Sequence, residues 1–444
     1  MRISVSGIRG VFPTDLRLEH IIEYTSAFSS FSDQDSSILG YDARESSRMI
    51  SRVVSSVLRA EGMDVYSIGI TPTPVLVRGC RAKGKGVMIT ASHNPLVWNG
   101  IKFVTEGRCI FRDELDVIES LRSRSNNKGY NRSKLGKEYT KTTSYTKDLL
   151  EFIDSKGLKQ LISRSRDVIV DTSIGTVTSY IKDILTGLGV DTTLLSSNEP
   201  DPTSRSLDPL LQFTSSKDGI GFAFDSDADR VVAVRRGRVL LPDDTLLICL
   251  HRMLNTQRYS SLTVSVDTSN SVRDIAYAYN LKLHYSKVGE ANVVKDMLDN
   301  GSMLGGEGSS AGFIAREFNT CRDAILASIL ILYDEIDAAL EYSKYSIKRG
   351  NLSIDGIDAN RVIEHIVEKE HDHSELIGID GAKLIIDEYT WALFRASNTE
   401  HSIRLSVESR SKDRTDTLYG YFMDKIVEAC MYVKREGDNK NNKI

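Results

Sequence analysis

A chain of 444 residues, set against roughly 150 residues per domain, implies about three domains and no fewer than two. Apolar residues make up 40% and charged residues 27%, and 57 Lys plus Arg against 61 Asp plus Glu leave a net charge of −4; the composition builds cores and lacks the basic footprint of a nucleic-acid binder. The longest apolar run, Ala324 to Tyr333 with one serine inside, falls short of the ~20 residues a membrane-spanning helix needs, and the start Met1-Arg2-Ile3-Ser4-Val5 lacks the apolar stretch of a signal peptide, so a cytoplasmic protein that engages neither membrane nor nucleic acid is expected.

In chain order, the first third alternates between periods. Strands are expected at Arg2 to Val5, Ile38 to Asp42, Val65 to Ile68, Gly86 to Thr90 and Ile101 to Val104, and helices at Leu18 to Phe31 and Ser46 to Glu61. In the second helix Ile50, Val53, Val54, Val57 and Leu58 share one face of a 3.6-residue period. A Thr71-Pro72-Thr73-Pro74 turn leads into a further helix, and the polar stretch Arg122 to Lys141 reads as a surface connection. The alternation restarts with strands at Asp167 to Asp171, Thr192 to Leu195, Gly219 to Asp225 and Val231 to Arg235 around a helix marked by Val177, Ile181, Ile184 and Leu188.

A third round has helices at Asp244 to Leu254, Ser271 to Asn280, Ala291 to Asn300 and Arg322 to Glu341. Its strands are Leu262 to Asp267, Leu281 to Ser286 and Ser302 to Leu304. The last hundred residues change character: a helix at Asn360 to Glu370, two neighbouring strands at Trp391 to Ala396 and Ile403 to Glu408, a helix at Thr415 to Val433 and a frayed polar tail from Lys434. Alternation implies α/β units with mixed sheets, and strands meeting across a short turn imply an α+β unit. The expected architecture is three tandem α/β domains, 1–138, 139–238 and 239–345, followed by an α+β domain, 346–444. Five cysteines, odd in number and never spaced as CxxC, read as reduced thiols.

Ligands of open α/β sheets gather at the carboxyl ends of strands, and one loop in each unit carries chemistry there. Thr90-Ala91-Ser92-His93-Asn94-Pro95, with Lys102 beyond it, offers a serine hydroxyl beside a histidine and a lysine. Asp225-Ser226-Asp227-Ala228-Asp229-Arg230 follows an apolar strand; three carboxylates within about 10 Å of extended chain repel unless a hard cation such as Mg²⁺ sits among them. An EF-hand fits poorly, because Arg230 and Arg236 occupy the places of its Gly and Glu. Gly305-Gly306-Glu307-Gly308-Ser309-Ser310, with Lys287 upstream, pairs a carboxylate and a hydroxyl suited to sugar hydroxyls. Arg395-Ala396-Ser397-Asn398-Thr399-Glu400 is a kit for a phosphate dianion.

The four loops, in this order, together with Ser6-Gly7-Ile8-Arg9-Gly10, Gly40-Tyr41-Asp42-Ala43-Arg44 and Asp380-Gly381-Ala382-Lys383, resemble the α-D-phosphohexomutase family over nearly the whole chain. The family includes phosphoglucomutase, phosphomannomutase and phosphoglucosamine mutase. The resemblance implies four domains around a central cleft and a Mg²⁺-dependent, reversible shift of phosphate between C1 and C6 of a mannose, glucose or glucosamine phosphate. That shift runs through a phosphoserine and a hexose 1,6-bisphosphate. It implies Ser92 as the phosphoryl carrier, which also touches the metal, and Asp225, Asp227 and Asp229 as metal ligands. Lys102 becomes the general acid/base, with Arg9, His93 and Arg230 around it. Lys287, Glu307 and Ser309 read the sugar, while Arg395, Ser397, Asn398 and Thr399 cradle the non-reacting phosphate.

This chain departs from the family pattern where Ser310 and Ala311 replace Gly-His, Ser226 replaces Gly, and His401 replaces Pro. The first change removes an imidazole from the sugar loop. The second should be tolerated if residue 226 avoids positive φ. Two other readings keep the same site: a one-way sugar-phosphate phosphatase or bisphosphate-forming transferase, and a silent sugar-phosphate-binding homologue.

Overall fold

A computed structural model describes the chain except residues 32–33, 82–83, 126–133, 163–166, 217–218, 333–335, 355, 371–374, 398–400 and 442–444. The described residues form four sheets. The first orders its strands Arg2–Ser4, Gly7–Val11, Trp98–Thr105, Lys85–Ile89, Ser36–Tyr41, Asp64–Ile70 and Glu138–Thr140, with Arg108–Cys109 paired to Trp98–Thr105. Its Ser36–Tyr41 strand is parallel to both neighbours, whereas Trp98–Thr105 runs antiparallel to Lys85–Ile89 and Gly7–Val11.

Side-chain alternation along these strands feeds two layers. Val87, Ile89, Ile101 and Phe103 pack with Ile21, Phe28, Ile50, Val54, Leu58 and Leu115 of the helices Leu18–Ser29, Ser47–Ala60 and Arg112–Ser125. Met88 and Val104 face the opposite side, toward Leu76 and Val77 of the helix Thr73–Gly79. The stretch expected as a plain surface connection therefore begins inside the helix Arg112–Ser125 and ends in the edge strand Glu138–Thr140.

The second sheet, Thr192–Leu195, Val168–Asp171, Ile220–Phe224, Val231–Arg235 and Arg238–Val239, and the third, Lys282–Ser286, Ser261–Ser265, Leu304–Glu307 and Gly312–Ala315, are parallel at one end and antiparallel at the other. They share one hydrophobic core. Between them lies the helix Ala324–Ile331, whose eight residues are all buried; it packs on the helix Pro242–Leu254 and on Val231–Arg235. Each fully buried aliphatic side chain there contributes about 1.5–3 kcal/mol, which explains the apolar run. No helix among the described residues is long and apolar enough to cross a membrane.

Two expectations are corrected here. The helix expected from Arg322 to Glu341 is two pieces, Ala324–Ile331 and Ile336–Leu340. The strand expected at Ser302 to Leu304 instead spans Leu304–Glu307 and pairs with Gly312–Ala315. Gly305 and Gly306 are thus strand residues: a Cβ on the first would lie 2.6 Å from Thr263 O and on the second 2.3 Å from Gly312 O, so only glycine lets the neighbouring backbones approach.

The fourth sheet, Ser346–Ser353, Ser402–Ser409, Thr390–Ala396, Ala382–Asp387 and Glu375–Ile377, is antiparallel throughout. The helices Ala359–Glu370 and Lys412–Asn441 cover it. The last helix runs on through the tail expected to be frayed. All five cysteines are free and buried, and the sheets and helices together give the mixed α/β class expected from the pattern.

The fourth sheet docks on the third through buried polar groups. Lys383 Nζ donates to Val266 O at 2.8 Å and lies 4.0 Å over the Trp391 ring. Glu408 Oε1 accepts from Asn270 N and Trp391 Nε1, each at 2.8 Å, while Oε2 has no partner. Burial pushes the Glu408 carboxyl up from 4.5 to about 7, and burial pulls the Lys383 ammonium down to about 8. An acid whose folded pKa is raised contributes stability below its unfolded pKa that is lost as pH rises through the folded one. Glu408→Gln should therefore gain stability relative to wild type as pH climbs from 4.5 to about 7, measured as urea midpoints across that range. A gap that stays constant with pH removes this assignment.

Candidate active site

The strand Lys85–Ile89, buried along its length, delivers Thr90, Ala91 and Ser92 to its carboxyl end. Ser92 is fully buried and holds φ +52°, a conformation uncommon for a residue with a Cβ and kept only where the surroundings over-determine it. Thr90 Oγ1 accepts from Ser92 N at 2.8 Å. Arg44 grips the loop from behind. Its Nη1 donates to Pro95 O at 2.7 Å and Trp98 O at 3.1 Å, its Nη2 to Asn94 O at 2.7 Å and to Ser92 O, and its Nε to Asp42 Oδ2 at 3.0 Å. With Ser226 Oγ, which also accepts from Nη2, six acceptors on one buried guanidinium use its planar fork fully.

The fully buried strand Ile220–Phe224 delivers the second loop. Asp225 Oδ1 accepts from the backbone N–H of Asp229 at 3.1 Å and of Arg230 at 3.2 Å, and Ala228 turns the chain at φ +53°. Ser226 is not among the positive-φ residues, so its Cβ costs nothing there. Its hydroxyl donates to Ser92 O at 2.5 Å and accepts from Arg44 Nη2 at 3.2 Å, tying this loop to the serine loop. The Thr-Pro-Thr-Pro turn adds a third tie: Thr73 N and Oγ1 donate to Asp227 O at 2.9 Å and Oδ2 at 2.5 Å.

Asp225, Asp227 and Asp229 are buried and each presents a carboxylate oxygen within 4.8 Å of the others. Ser92 Oγ donates to Asp225 Oδ2 at 3.1 Å. Lys102 Nζ bonds Asp227 Oδ2 at 2.6 Å and Asp229 Oδ2 at 3.1 Å, leaving Oδ1 of both residues buried without a hydrogen-bond partner, Arg230 Nε lying 3.7 Å from the Asp229 one. Two orphaned oxygens beside a third carboxylate, with oxygen donors alone, fit a hard divalent cation.

The electrostatics divide the triad. Burial and then the neighbouring Asp229 and Asp227 push the Asp225 carboxyl well above its ordinary range. Burial acts the same way on Asp229 and Asp227, but Arg322 and Lys102 outweigh it at the first and Lys102 at the second, so both fall below that range. Burial opposes the charge on Lys102, yet Asp227 and Asp229 raise its pKa. Burial, then Arg230 and Arg9, depress His93 to about 3.

Of the remaining expected site residues, His93, Arg9 and Arg230 adjoin this centre and Glu307 reaches it through Arg322. Arg230 Nη2 meets His93 Nδ1 at 2.8 Å, and Ser92 Oγ is 3.4 Å from the same nitrogen. Arg9 reaches Ala91 O at 3.4 Å and Ser6 O at 2.7 Å. Glu307 is buried, with Oε1 accepting from Gly289 N at 2.7 Å and Oε2 from Arg322 Nη1 at 2.9 Å; Ser309 is half-buried and Lys287 exposed. Arg395 Nε pairs with Asp380 Oδ2 at 2.8 Å, and that oxygen also accepts from Val288 N at 3.1 Å, next to Lys287. Ser397 N donates to Ser402 O at 2.9 Å. Asn398 and Thr399 lie outside the described residues.

Four participants have no role in the sequence reading: Asp42, Arg44 and Thr73, which stand there only within motifs, and Arg322. The first two stand directly after the strand Ser36–Tyr41, where a ligand loop is expected. Arg322 and Asp323 are charges set immediately before the helix Ala324–Ile331, apolar but for Ser328 and buried throughout, a contrast that marks residues with buried partners.

Replacing Arg44 by Met would strand Asp42, itself fully buried, and release the serine loop. Removing one member of a buried ion pair costs about 3–5 kcal/mol. Arg44→Met should lose stability of that order in urea denaturation, and a loss under about 1 kcal/mol would contradict the clamp.

Comparison with known proteins identifies relatives of the whole chain. Residues 2–128 match the family model for phosphoglucomutase/phosphomannomutase alpha/beta/alpha domain I, and residues 241–335 match that for domain III. A phosphoglucosamine/phosphogalactosamine mutase of Sulfurisphaera tokodaii is 28% identical over 95% of this chain and 98% of its own length. A phosphoglucomutase/phosphomannomutase of Thermococcus kodakarensis is 28% identical over 92% of this chain and 94% of its own. A solved phosphoglucomutase/phosphomannomutase family protein from Burkholderia thailandensis shares the fold, with a TM-score of 0.80 at 21% identity over 96% of this chain and 98% of that one. The chain belongs to the α-D-phosphohexomutase family and is a phosphohexomutase, an isomerase by reaction class.

Proposed function

We propose that this phosphohexomutase moves phosphate between O1 and O6 of a glucose, mannose or glucosamine phosphate in the cytoplasm, using phosphorylated Ser92 as donor and acceptor. The observation that carries the reading is Ser92 Oγ at 3.1 Å from Asp225 Oδ2, beside two orphaned carboxylate oxygens on Asp227 and Asp229. The activities for which the Sulfurisphaera and Thermococcus relatives are named support hexose phosphates of this range. The units 1–138, 139–238, 239–345 and 346–444 would each contribute one loop to the cleft.

Asp225, Asp227 and Asp229, with the oxygen on Ser92, would hold Mg²⁺, which when bound supplies positive charge against the phosphoryl oxygens. In the forward half-reaction the P–Oγ bond of phosphoserine breaks as a P–O bond to the free sugar hydroxyl forms, giving the hexose 1,6-bisphosphate. The bisphosphate turns end for end, and Ser92 Oγ takes back the other phosphoryl group. Lys102 is assigned the proton transfers. Its charged form, favoured by Asp227 and Asp229, gives a proton to the departing serine oxygen and takes up the one the attacking sugar hydroxyl loses; in the second half Nζ takes the serine proton and returns one to the departing sugar oxygen, so each half ends with the ammonium restored.

Arg9 and Arg230 add positive charge around the migrating group, and His93, held neutral, accepts from Arg230. Glu307 and Ser309 would read sugar hydroxyls, with Lys287 at the rim. Arg395, Ser397, Asn398 and Thr399 would hold the phosphate that is not reacting, so one cradle serves both orientations of the substrate.

A panel of glucose, mannose, glucosamine and N-acetylglucosamine phosphates, each with Mg²⁺ and a trace of bisphosphate primer, should show isomerisation of at least one sugar without accumulation of free phosphate. Release of inorganic phosphate in step with substrate loss would replace the reading by a phosphatase. Ser92→Ala should lower turnover on the order of a thousandfold or more while leaving the thermal midpoint near wild type, and near-wild-type rates would discard the nucleophile. Asp227→Asn should raise the Mg²⁺ concentration for half-maximal rate about tenfold or more, and an unchanged titration would count against the metal loop.

A further inference from the structure

The geometry points to Arg322 as a positioning residue that couples the metal loop to the sugar loop. The inference rests on reading Asp225, Asp227 and Asp229 as the metal loop, and it adds a connection which that reading does not contain. Arg322 is buried, 9% exposed, and each edge of its guanidinium meets a carboxylate from a different segment. Nη2 donates to Asp229 Oδ2 at 2.8 Å, Nη1 to Glu307 Oε2 at 2.9 Å and Nε to Glu290 Oε2 at 3.1 Å. Nη1 also lies 3.4 Å from Ser310 Oγ, one of the two positions where the sugar loop departs from the family pattern.

A planar fork fixed at three edges transmits displacement, because one N–H cannot shift without rotating the others. Asp229 is held by Arg322 and Lys102 through Oδ2, and its buried Oδ1 has no hydrogen-bond partner, only Arg230 Nε at 3.7 Å. A cation drawing on Oδ1 acts on a carboxylate whose second oxygen is bonded to the guanidinium that also holds Glu307. Glu307 is fixed on its other oxygen by Gly289 N at 2.7 Å. The chain Asp229–Arg322–Glu307–Gly289 is therefore a continuous run of charge-assisted hydrogen bonds, ending at the turn beside Lys287. Occupancy of the metal loop orders the sugar loop, and by linkage the reverse holds.

Hydrogen–deuterium exchange on the full chain, stripped with EDTA and then saturated with Mg²⁺ alone, reads this coupling without substrate or turnover. In wild type, Mg²⁺ should slow amide exchange at 225–230 and at 304–312, the latter by at least about fivefold, the lower end of ordinary coupling. In Arg322→Lys, which keeps the charge and loses the fork, the response at 225–230 should persist and that at 304–312 disappear. Glu307→Gln weakens the link from the sugar side while leaving the bond to Asp229, and should give the same loss; it carries the test if Arg322→Lys does not fold. A response at 304–312 that survives both substitutions, or a wild type in which only 225–230 responds, overturns the coupling and leaves the metal loop standing. Silence at both segments in wild type overturns the metal loop and the coupling with it.

Discussion

Concentrated negative charge is the constraint around which this molecule is organised. Asp225, Asp227 and Asp229 are buried within 4.8 Å of one another, with Glu290 and Glu307 reached through a single guanidinium. Two full charges 4 Å apart repel by about 4 kcal/mol at an effective dielectric of 20, and burial adds a desolvation cost to each. The fold answers with Lys102 from the first sheet, Arg322 from the approach to the central apolar helix, and backbone N–H groups aimed at Asp225. Even so, Oδ1 of Asp227 and of Asp229 has no hydrogen-bond partner.

That arrangement explains why the elements meet where they do. The serine loop, the acidic loop and the threonine turn are joined by hydrogen bonds between residues more than a hundred positions apart, among them Ser226 to Ser92 and Thr73 to Asp227. The second and third sheets share one core through the helix Ala324–Ile331, a packing that fixes Arg322, two residues before that helix, against the acidic loop. The fourth sheet is attached differently. Its contacts with the third combine a small apolar cluster of Val266, Trp391 and Leu393 with buried polar groups such as Lys383 and Glu408 and with Asp380, which bonds Arg395 and caps Val288.

Much of this was legible in the chain itself. Alternating apolar patterns located the strands that end at Ser92 and Asp225, because a buried strand followed by small and acidic residues leaves few other interpretations. The glycine pair Gly305-Gly306 was misread as loop, since glycine signals a turn locally and its service as a close-packed strand residue depends on Gly312 and Thr263, partners far from it in sequence or invisible to local pattern. Arg44 was seen as part of a motif but given no task; four of its six acceptors are main-chain carbonyls about fifty residues away, which no side-chain pattern announces. The final helix outran its apolar stripe because a helix anchored along its first turns continues into polar sequence without needing a core.

One crowded contact has a bearing on how such chains diverge. A Cβ built on Gly312 would lie 2.3 Å from Arg322 Cδ, so the long side chain occupies the space any larger residue at 312 would claim. The two positions are mutually exclusive in bulk, and a lineage that shortens residue 322 frees room at 312 while one that fills 312 must first give up the arginine. Among descendants the pair should change together, glycine travelling with arginine, and its joint replacement would mark branches in which the acidic and sugar-facing segments have gone separate ways.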